Sequence, residues 1–442
     1  MALEICGFAA RSGTAQLYPP AISIDLTDPA SVNLSSAAFW QLPEGEQEQA
    51  FALLRREAPL APMPPIDDEL AVIPQEDPTG YRAVTRHEDI KRISRDAHTF
   101  SSAGGVVAGD APEELREATL SFIAMDAPRH TKLRGLVSSA FTPRQVARIE
   151  EGIRLAAKEI VSEAAPTGGG DFVSLIAKRL PLQTISDMIG VPDADRERIV
   201  EAADTIVSIG DEQFLAGRDP LATIGQAIWT LSQFASEMAA DREKNPGDDL
   251  MTALVQAEID GEKLTHAEIS AWFVLLSVAG NDTTRHTTSH AMRALTLNPD
   301  QRELLLEDLD NRLPVAVEEF VRWATPVLHF RRTATRSMEL HGVQIEPGEK
   351  LVMFYLSGNR DEAAIEDPYR FDVTRDPNYH LGFGGGGPHY CLGASLARTQ
   401  LRSIFGELLT QVPDIEVGEP DPLAGSFIRG VKRMDCSWRT RH

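Results

Sequence analysis

A mainly α-helical fold with small β-sheets (α+β), organised around one long central helix at about 265–297, is what this sequence predicts. Three observations carry it. From residue 127 to 258 apolar positions recur at helical spacing, interrupted only by short punctuation such as Gly168-Gly-Gly170, Gly190, Pro192, Gly217 and Pro246-Gly247. An unbroken helical pattern then opens on the capping box Thr265-His-Ala-Glu268 and stops at Asn298-Pro299. At about 1.5 Å per residue it makes a rod of about 50 Å, long enough to cross a whole domain. After Leu328 the texture changes to short alternating runs, Leu328–Ala334, Met338–Leu340 and Lys350–Leu356, which read as strands.

The remaining elements follow in order. Residues 1–43, rich in Pro, Ser and Ala, read as a loosely attached lead-in, and 44–442 as a single domain, because the change near Leu328 involves no linker. Glu46–Glu57 predicts a helix ended by Pro59–Pro65; Leu70–Ile73 and Tyr81–Val84 predict strands around a turn at Asp77–Gly80; His87–Arg95 predicts a helix. Phe100–Ala124, with Gly104–Gly109 inside it, has the length of a binding loop. Helices are expected over Ala127–Ala140, Pro143–Ala164, Val173–Ile189, Asp193–Ile209, Pro220–Arg242 and Asp248–Glu258. Others follow at Val315–Trp323 and Ala394–Leu409, before a closing hairpin at Pro420–Trp438. In the central helix only Ile269–Gly280 is strongly apolar, which predicts burial of its first half.

Composition narrows the function. The 442 residues, 42% hydrophobic and 25% charged, suit a soluble globular chain with a large core. A formal charge of −23 argues against nucleic acid as a partner. Three scattered cysteines offer no disulfide framework, and no basic-then-apolar leader precedes Asp25. No apolar run approaches the roughly 18 residues of a membrane span. A cytoplasmic location is expected.

Chemistry concentrates at His380-Leu-Gly-Phe-Gly-Gly-Gly-Gly-Pro-His-Tyr-Cys391-Leu-Gly393, followed at once by helical pattern. A cysteine there sits near a helix N-terminus, where unpaired N–H groups favour a thiolate, either a nucleophile or a metal ligand. The glycines would let backbone lie against something large and flat, which favours haem iron over a small acyl substrate. Taken alone, a lone cysteine is more often a small buried apolar group. No second Cys or His stands at zinc-site spacing, whereas a cysteine-protease nucleophile needs only a distant histidine and stays open. Two further patterns carry chemistry. His130 and Arg134 share a helix face at i and i+4. Ala279-Gly-Asn-Asp-Thr-Thr284 places poor helix formers mid-helix, with a carboxylate at Asp282 and a hydroxyl at Thr283 suited to proton delivery.

With these pieces in order, the chain resembles the bacterial cytochromes P450, haem-thiolate monooxygenases, from about Leu70 to its C-terminus. The Gly-rich Cys stretch, Glu319-x-x-Arg322 and Ala279-Gly-x-Asp-Thr-Thr284 carry the resemblance together. It implies the cytochrome P450 fold and haem b, with Cys391 as axial ligand to the iron and His130, Arg134, Arg332 and His389 bonding the propionates. It also implies a buried network of Glu319 and Arg322 with Arg370, and a proton-delivering pair in Asp282 and Thr283. Phe383 lies eight residues before Cys391, one more than in the common pattern. That form is similar to the cytochromes P450 acting on sterol side chains and methyl-branched lipids.

Helical spacing back from Thr283 places Ala279, Leu276, Leu275 and Trp272 toward the pocket, Gly280 with Ala279 leaves a gap for a ligand to approach the backbone, and the resemblance adds Val327 and Phe427. Few charges stand in these segments, so a lipophilic substrate is expected: a terpenoid, steroid or branched lipid. No reductase or flavin motif is present, so electrons are expected from a ferredoxin with its reductase. The docking face would comprise Arg129, Lys132, Arg144, Arg148, Arg398 and Arg402. A peroxide-driven peroxygenase and a non-enzymatic haem-thiolate sensor are the alternatives.

Overall fold

A computed structural model describes residues 25–71, 75, 78–110 and 121–440. The central helix runs His266–Leu297 and opens on its capping box: the Glu268 N–H donates to Thr265 Oγ1 at 3.2 Å and the Thr265 N–H to the Glu268 carboxylate at 2.9 Å. Burial extends along both halves, not only the apolar first half. The hydroxyls of Thr287, Thr288 and Ser289 donate to the carbonyls of Thr283, Thr284 and Arg285 at 2.8, 2.9 and 3.0 Å, so burying them strands no polar group. Around this rod pack Arg179–Ile189, Asp193–Ser208, Pro220–Lys244 and Leu309–Ala324, and the last helix, Ala394–Gln411, also reaches it. They share one large apolar core that includes Trp272, Phe273, Phe320 and Phe405.

The β structure forms two main sheets. The larger has five strands in the order Leu60–Met63, Tyr81–Val84, Lys350–Phe354, His329–Ala334 and Phe100–Ser101. Tyr81–Val84 and Lys350–Phe354 run parallel and the other pairs antiparallel. A second sheet joins Glu416–Pro422, Val431–Ser437 and Gly169–Asp171.

Several boundaries differ from expectation. The first strand is Leu60–Met63, in the segment expected to end a helix, whereas Leu70 lies in the short helix Asp68–Ala71. Backbone pairing to Tyr81–Val84 outweighs the weak strand propensity of Pro62. Of the strand expected at Leu70–Ile73, residues 72 and 73 lie outside the described residues, as do 1–24 of the lead-in and 111–120 of the loop. The lead-in is packed from Val32 onward: Val32, Leu34 and Phe39 are buried, and the Phe39 ring lies 5.7 Å from that of Phe51. The helix expected to start after Pro314 begins at Leu309 and carries the proline inside it.

Candidate active site

The cysteine loop is pinned on three sides. The Cys391 N–H donates to the Phe383 carbonyl at 3.0 Å, closing the loop, and the helix Ala394–Gln411 starts three residues on. Two of the glycines answer to packing against a neighbouring helix. A Cβ at Gly385 would stand 3.0 Å from the Ile90 carbonyl oxygen, and one at Gly387 would collide with that of Ser94, both on the helix His87–Arg95. Gly384, Gly386 and Gly387 all take positive φ, at 91°, 91° and 78°. The Phe383 ring lies under the Arg398 guanidinium at 4.4 Å. Cys391 itself is accessible although protein surrounds it, and that burial raises its thiol pKa against the Gly393 N–H, Arg134 and Arg398. A metal ion deprotonates a coordinating thiol outright.

Beneath the loop, Arg322 forks onto Glu319 with two bonds of 2.7 Å, both side chains wholly buried. Its remaining donors go to the carbonyls of Asn359, Pro368 and Arg370 at 2.9, 2.7 and 3.0 Å. Arg370 therefore contributes its backbone, not its guanidinium, which is 60% exposed beside Asp372. The second cation at Glu319 is Arg375, at 3.3 Å, and Asn378 donates to the same carboxylate at 3.0 Å. Asn359 Oδ1 accepts from the Leu381 N–H at 2.6 Å and so joins this network to the start of the cysteine loop.

His130, Arg134, Arg332 and His389 converge from a helix, a strand and the cysteine loop itself. The imidazole centroids of His130 and His389 are 4.2 Å apart, and His389 Nε2 lies 3.1 Å from Ser102 Oγ. Burial, then Arg332, His130 and Arg134, push His389 down to about 2; burial and Arg134 lower His130. Arg134 donates to the Tyr390 carbonyl. Among the described residues the buried Arg332 has no carboxylate at ion-pair distance, and the buried His130 Nε2 has no hydrogen-bond partner. Ser102, absent from the sequence reading, carried no motif that could reveal it.

On the central helix, Asp282 and Thr283 point differently. Asp282 is 2% exposed and its Oδ1 lies 2.7 Å from Arg285 Nη2, while Oδ2 has no partner among the described residues. Arg285 also reaches Asp204 at 2.9 Å. Burial, reinforced by Asp204 and opposed by Arg285, raises the Asp282 pKa to about 7. Thr283 is less buried and donates to the Ala279 carbonyl at 2.9 Å. Arg285 was missed by the sequence reading, although its i,i+3 spacing from Asp282 is that of Glu319 and Arg322.

The expected pocket positions divide. Ala279 is exposed mid-helix. Gly280 instead packs on Ile185, whose Cδ1 would lie 3.0 Å from a Cβ there. Trp272 is fully buried and stacked at 4.2 Å on Phe122, Leu276 is buried in the helical core, and Leu275 is partly exposed. Helical spacing gives direction only, and about 16 Å along the axis from Thr283 the turn Ser121–Ala124 covers that face. Val327 bridges Ile428, and the Phe427 ring lies 5.6 Å from that of Phe330.

The cytochrome P450 family model matches residues 78–412. The chain belongs to the cytochrome P450 family. A methyl-branched lipid omega-hydroxylase of Mycobacterium tuberculosis is 42% identical over 424 residues, covering 95% of this chain and 96% of that protein. A steroid C26-monooxygenase of Mycolicibacterium smegmatis is 42% identical over 365 residues, covering 81% and 84%. Among solved structures, the Mycobacterium marinum cytochrome P450 CYP268A2 in complex with pseudoionone superposes with a TM-score of 0.90 at 52% identity, covering 96% of this chain and all of that one.

As a cytochrome P450, the chain is a haem-thiolate monooxygenase, and the site fits haem b. A group bearing iron and two carboxylates matches an accessible thiol beside four cationic or hydrogen-bonding side chains, one a buried guanidinium without a counter-ion and one an imidazole with an unpartnered nitrogen. The expected basic face is partly neutralised within this cytochrome P450. Arg129 pairs with Glu268, Lys132 with Asp260, Arg398 with Glu318 and Arg402 with Glu150. Arg144 and Arg148 are exposed and make no ion pair among the described residues. Among those residues, no helix is long and apolar enough to cross a membrane.

Proposed function

We propose that this cytochrome P450 hydroxylates a C–H bond of a lipophilic substrate of the branched-lipid, steroid side-chain or terpenoid kind, using O2 and electrons from a ferredoxin with its reductase. The observation that carries the substrate class is the apolar character of the proposed lining: Val327 against Ile428, Phe427 against Phe330, and Ala279 exposed beside Thr283. The named activities of the two mycobacterial relatives support the same class.

Haem, when bound, supplies the oxygen chemistry. The residues of the chain hold it and manage protons. Cys391 would ligate the iron, with Arg332, Arg134, His130 and His389 taking the two carboxylates. A carboxyl with a pKa of about 7 both carries and releases a proton near neutrality, and Asp282 holds that value in a buried site shared with Arg285 and Asp204. The Thr283 hydroxyl, one residue on, donates to the Ala279 carbonyl and keeps its lone pairs for water, so it would position by hydrogen bond the water that passes that proton on.

The deciding experiment compares turnover of a lipophile panel under ferredoxin, reductase and NADH with turnover under hydrogen peroxide alone. Ferredoxin-dependent hydroxylation supports the proposal. Equal turnover with peroxide would make the protein a peroxygenase, and ligand-induced haem spectra without any product would make it a sensor.

A further inference from the structure

We propose that Arg429, latched by Glu44, is a positioning residue that sets the Val327–Phe427–Ile428 wall and thereby which substrate carbon is hydroxylated; this rests on the reading that the wall lines the pocket. The turn carrying Phe427 and Ile428 is not held by its own hairpin. Pairing between Glu416–Pro422 and Val431–Ser437 ends at Pro422 and Val431, with an irregularity at Asp421 and Pro422. Inside that turn a single further backbone bond crosses, from Leu423 N to Gly430 O at 3.0 Å.

Arg429 supplies what the hairpin lacks. Its Nη1 donates to the carbonyls of Trp323 and Ala324 at 2.8 and 3.1 Å, the last two residues of the helix Leu309–Ala324. Carbonyls at a helix C-terminus have no partner within the helix, and the dipole there favours a cation. Its Nη2 donates to the carboxylate of Glu44, the first residue of the helix Glu44–Glu57. Its N–H donates to the Pro326 carbonyl at 2.9 Å, and its own carbonyl accepts from Nε2 of His290 on the central helix at 3.1 Å. Burial pushes His290 down to about 3, so this donor is a neutral imidazole. One residue thus anchors the turn to three helices and to Pro326, in the short link between the helix Leu309–Ala324 and the strand His329–Ala334. The wall follows directly: the Phe427 carbonyl accepts from the Leu328 N–H at 2.8 Å, and Ile428 bridges Val327.

The fork geometry makes Lys a poor substitute, since an ammonium cannot serve two carbonyls and a carboxylate in one plane. Glu44 is half exposed, so its substitution should leave the fold intact while loosening the latch.

The test measures product regioisomer ratio and substrate Kd in Arg429→Lys, Glu44→Gln and Phe427→Ala, with haem content and the CO-bound reduced spectrum as controls. Arg429→Lys is expected to weaken substrate binding by about tenfold and shift the regioisomer ratio. Glu44→Gln should move both the same way by about two- to threefold, with the spectrum unchanged. If Phe427→Ala changes the ratio while Glu44→Gln and Arg429→Lys do not, Arg429 is purely structural and the proposal fails with the pocket reading intact. If Phe427→Ala also changes nothing, the pocket reading falls and takes the proposal with it. Should Arg429→Lys lose haem, the Glu44→Gln ratio decides alone.

Discussion

Arg285 Nη2 stands 2.7 Å from Asp282 Oδ1, and the same guanidinium reaches Asp204 on the neighbouring helix Asp193–Ser208 at 2.9 Å. Two carboxylates and one guanidinium thus share a buried site, and burial outweighs the single cation at Asp282. The folded pKa, about 7, lies above the ordinary 3.8, so the ionised form opposes the fold. Stability from this group is full below about pH 4 and is lost as pH rises through about 7. Subtracting the melting curves of Asp282→Asn from those of the wild type across this range isolates the effect. Parallel curves would show that Asp282 titrates normally.

Thr283→Ala should keep electron consumption but lower product per electron pair by at least about tenfold, with peroxide released instead. The paired assay of cofactor oxidation, product and peroxide checks this. Unchanged coupling would remove Thr283 from the proton path.

Cys391→Ser should abolish the thiolate-type spectrum of the reduced, CO-bound protein, because an alcohol does not donate charge as a thiolate does. Retention of that spectrum would overturn the ligand assignment.

Arg322→Ala should destabilise by about 3 kcal/mol and lose haem, since it strips the buried Glu319 carboxyl of its two-bond partner and leaves the carbonyls of Asn359 and Pro368 unpaired. Arg370→Ala should stay within about 0.5 kcal/mol, because its side chain faces solvent. Chemical denaturation of the two variants separates the backbone role of residue 370 from the side-chain role expected from sequence.

Reversing Arg144 and Arg148 to Glu should slow reduction by a ferredoxin and weaken its salt dependence, because their charge is not spent on ion pairs within the described residues. Reversing Arg129, already paired with Glu268, should change the rate less. Stopped-flow reduction at several salt concentrations reads both, and identical rates in all variants would exclude this face.

Helix order, the central rod with its capping box, and the thiol at the head of the final helix were all legible in the sequence. They depend on local signals: periodicity, Gly and Pro punctuation, and Ser, Thr and Glu at helix starts. Only the tertiary structure decided what those residues face. Four glycines that read as a bed for a flat cofactor include two that clear the backbone of the helix His87–Arg95, nearly three hundred residues earlier in the chain. Trp272 has the right helical angle for the pocket, yet Phe122 covers it. Arg375, not the side chain of Arg370, completes the Glu319 site, and Arg285 with Asp204 raises or restrains the acidity of Asp282. Sequence spacing sets the direction of a side chain along its own element. What covers that side chain, and whether a charge meets water or a counter-ion, depends on contacts between distant parts of the chain.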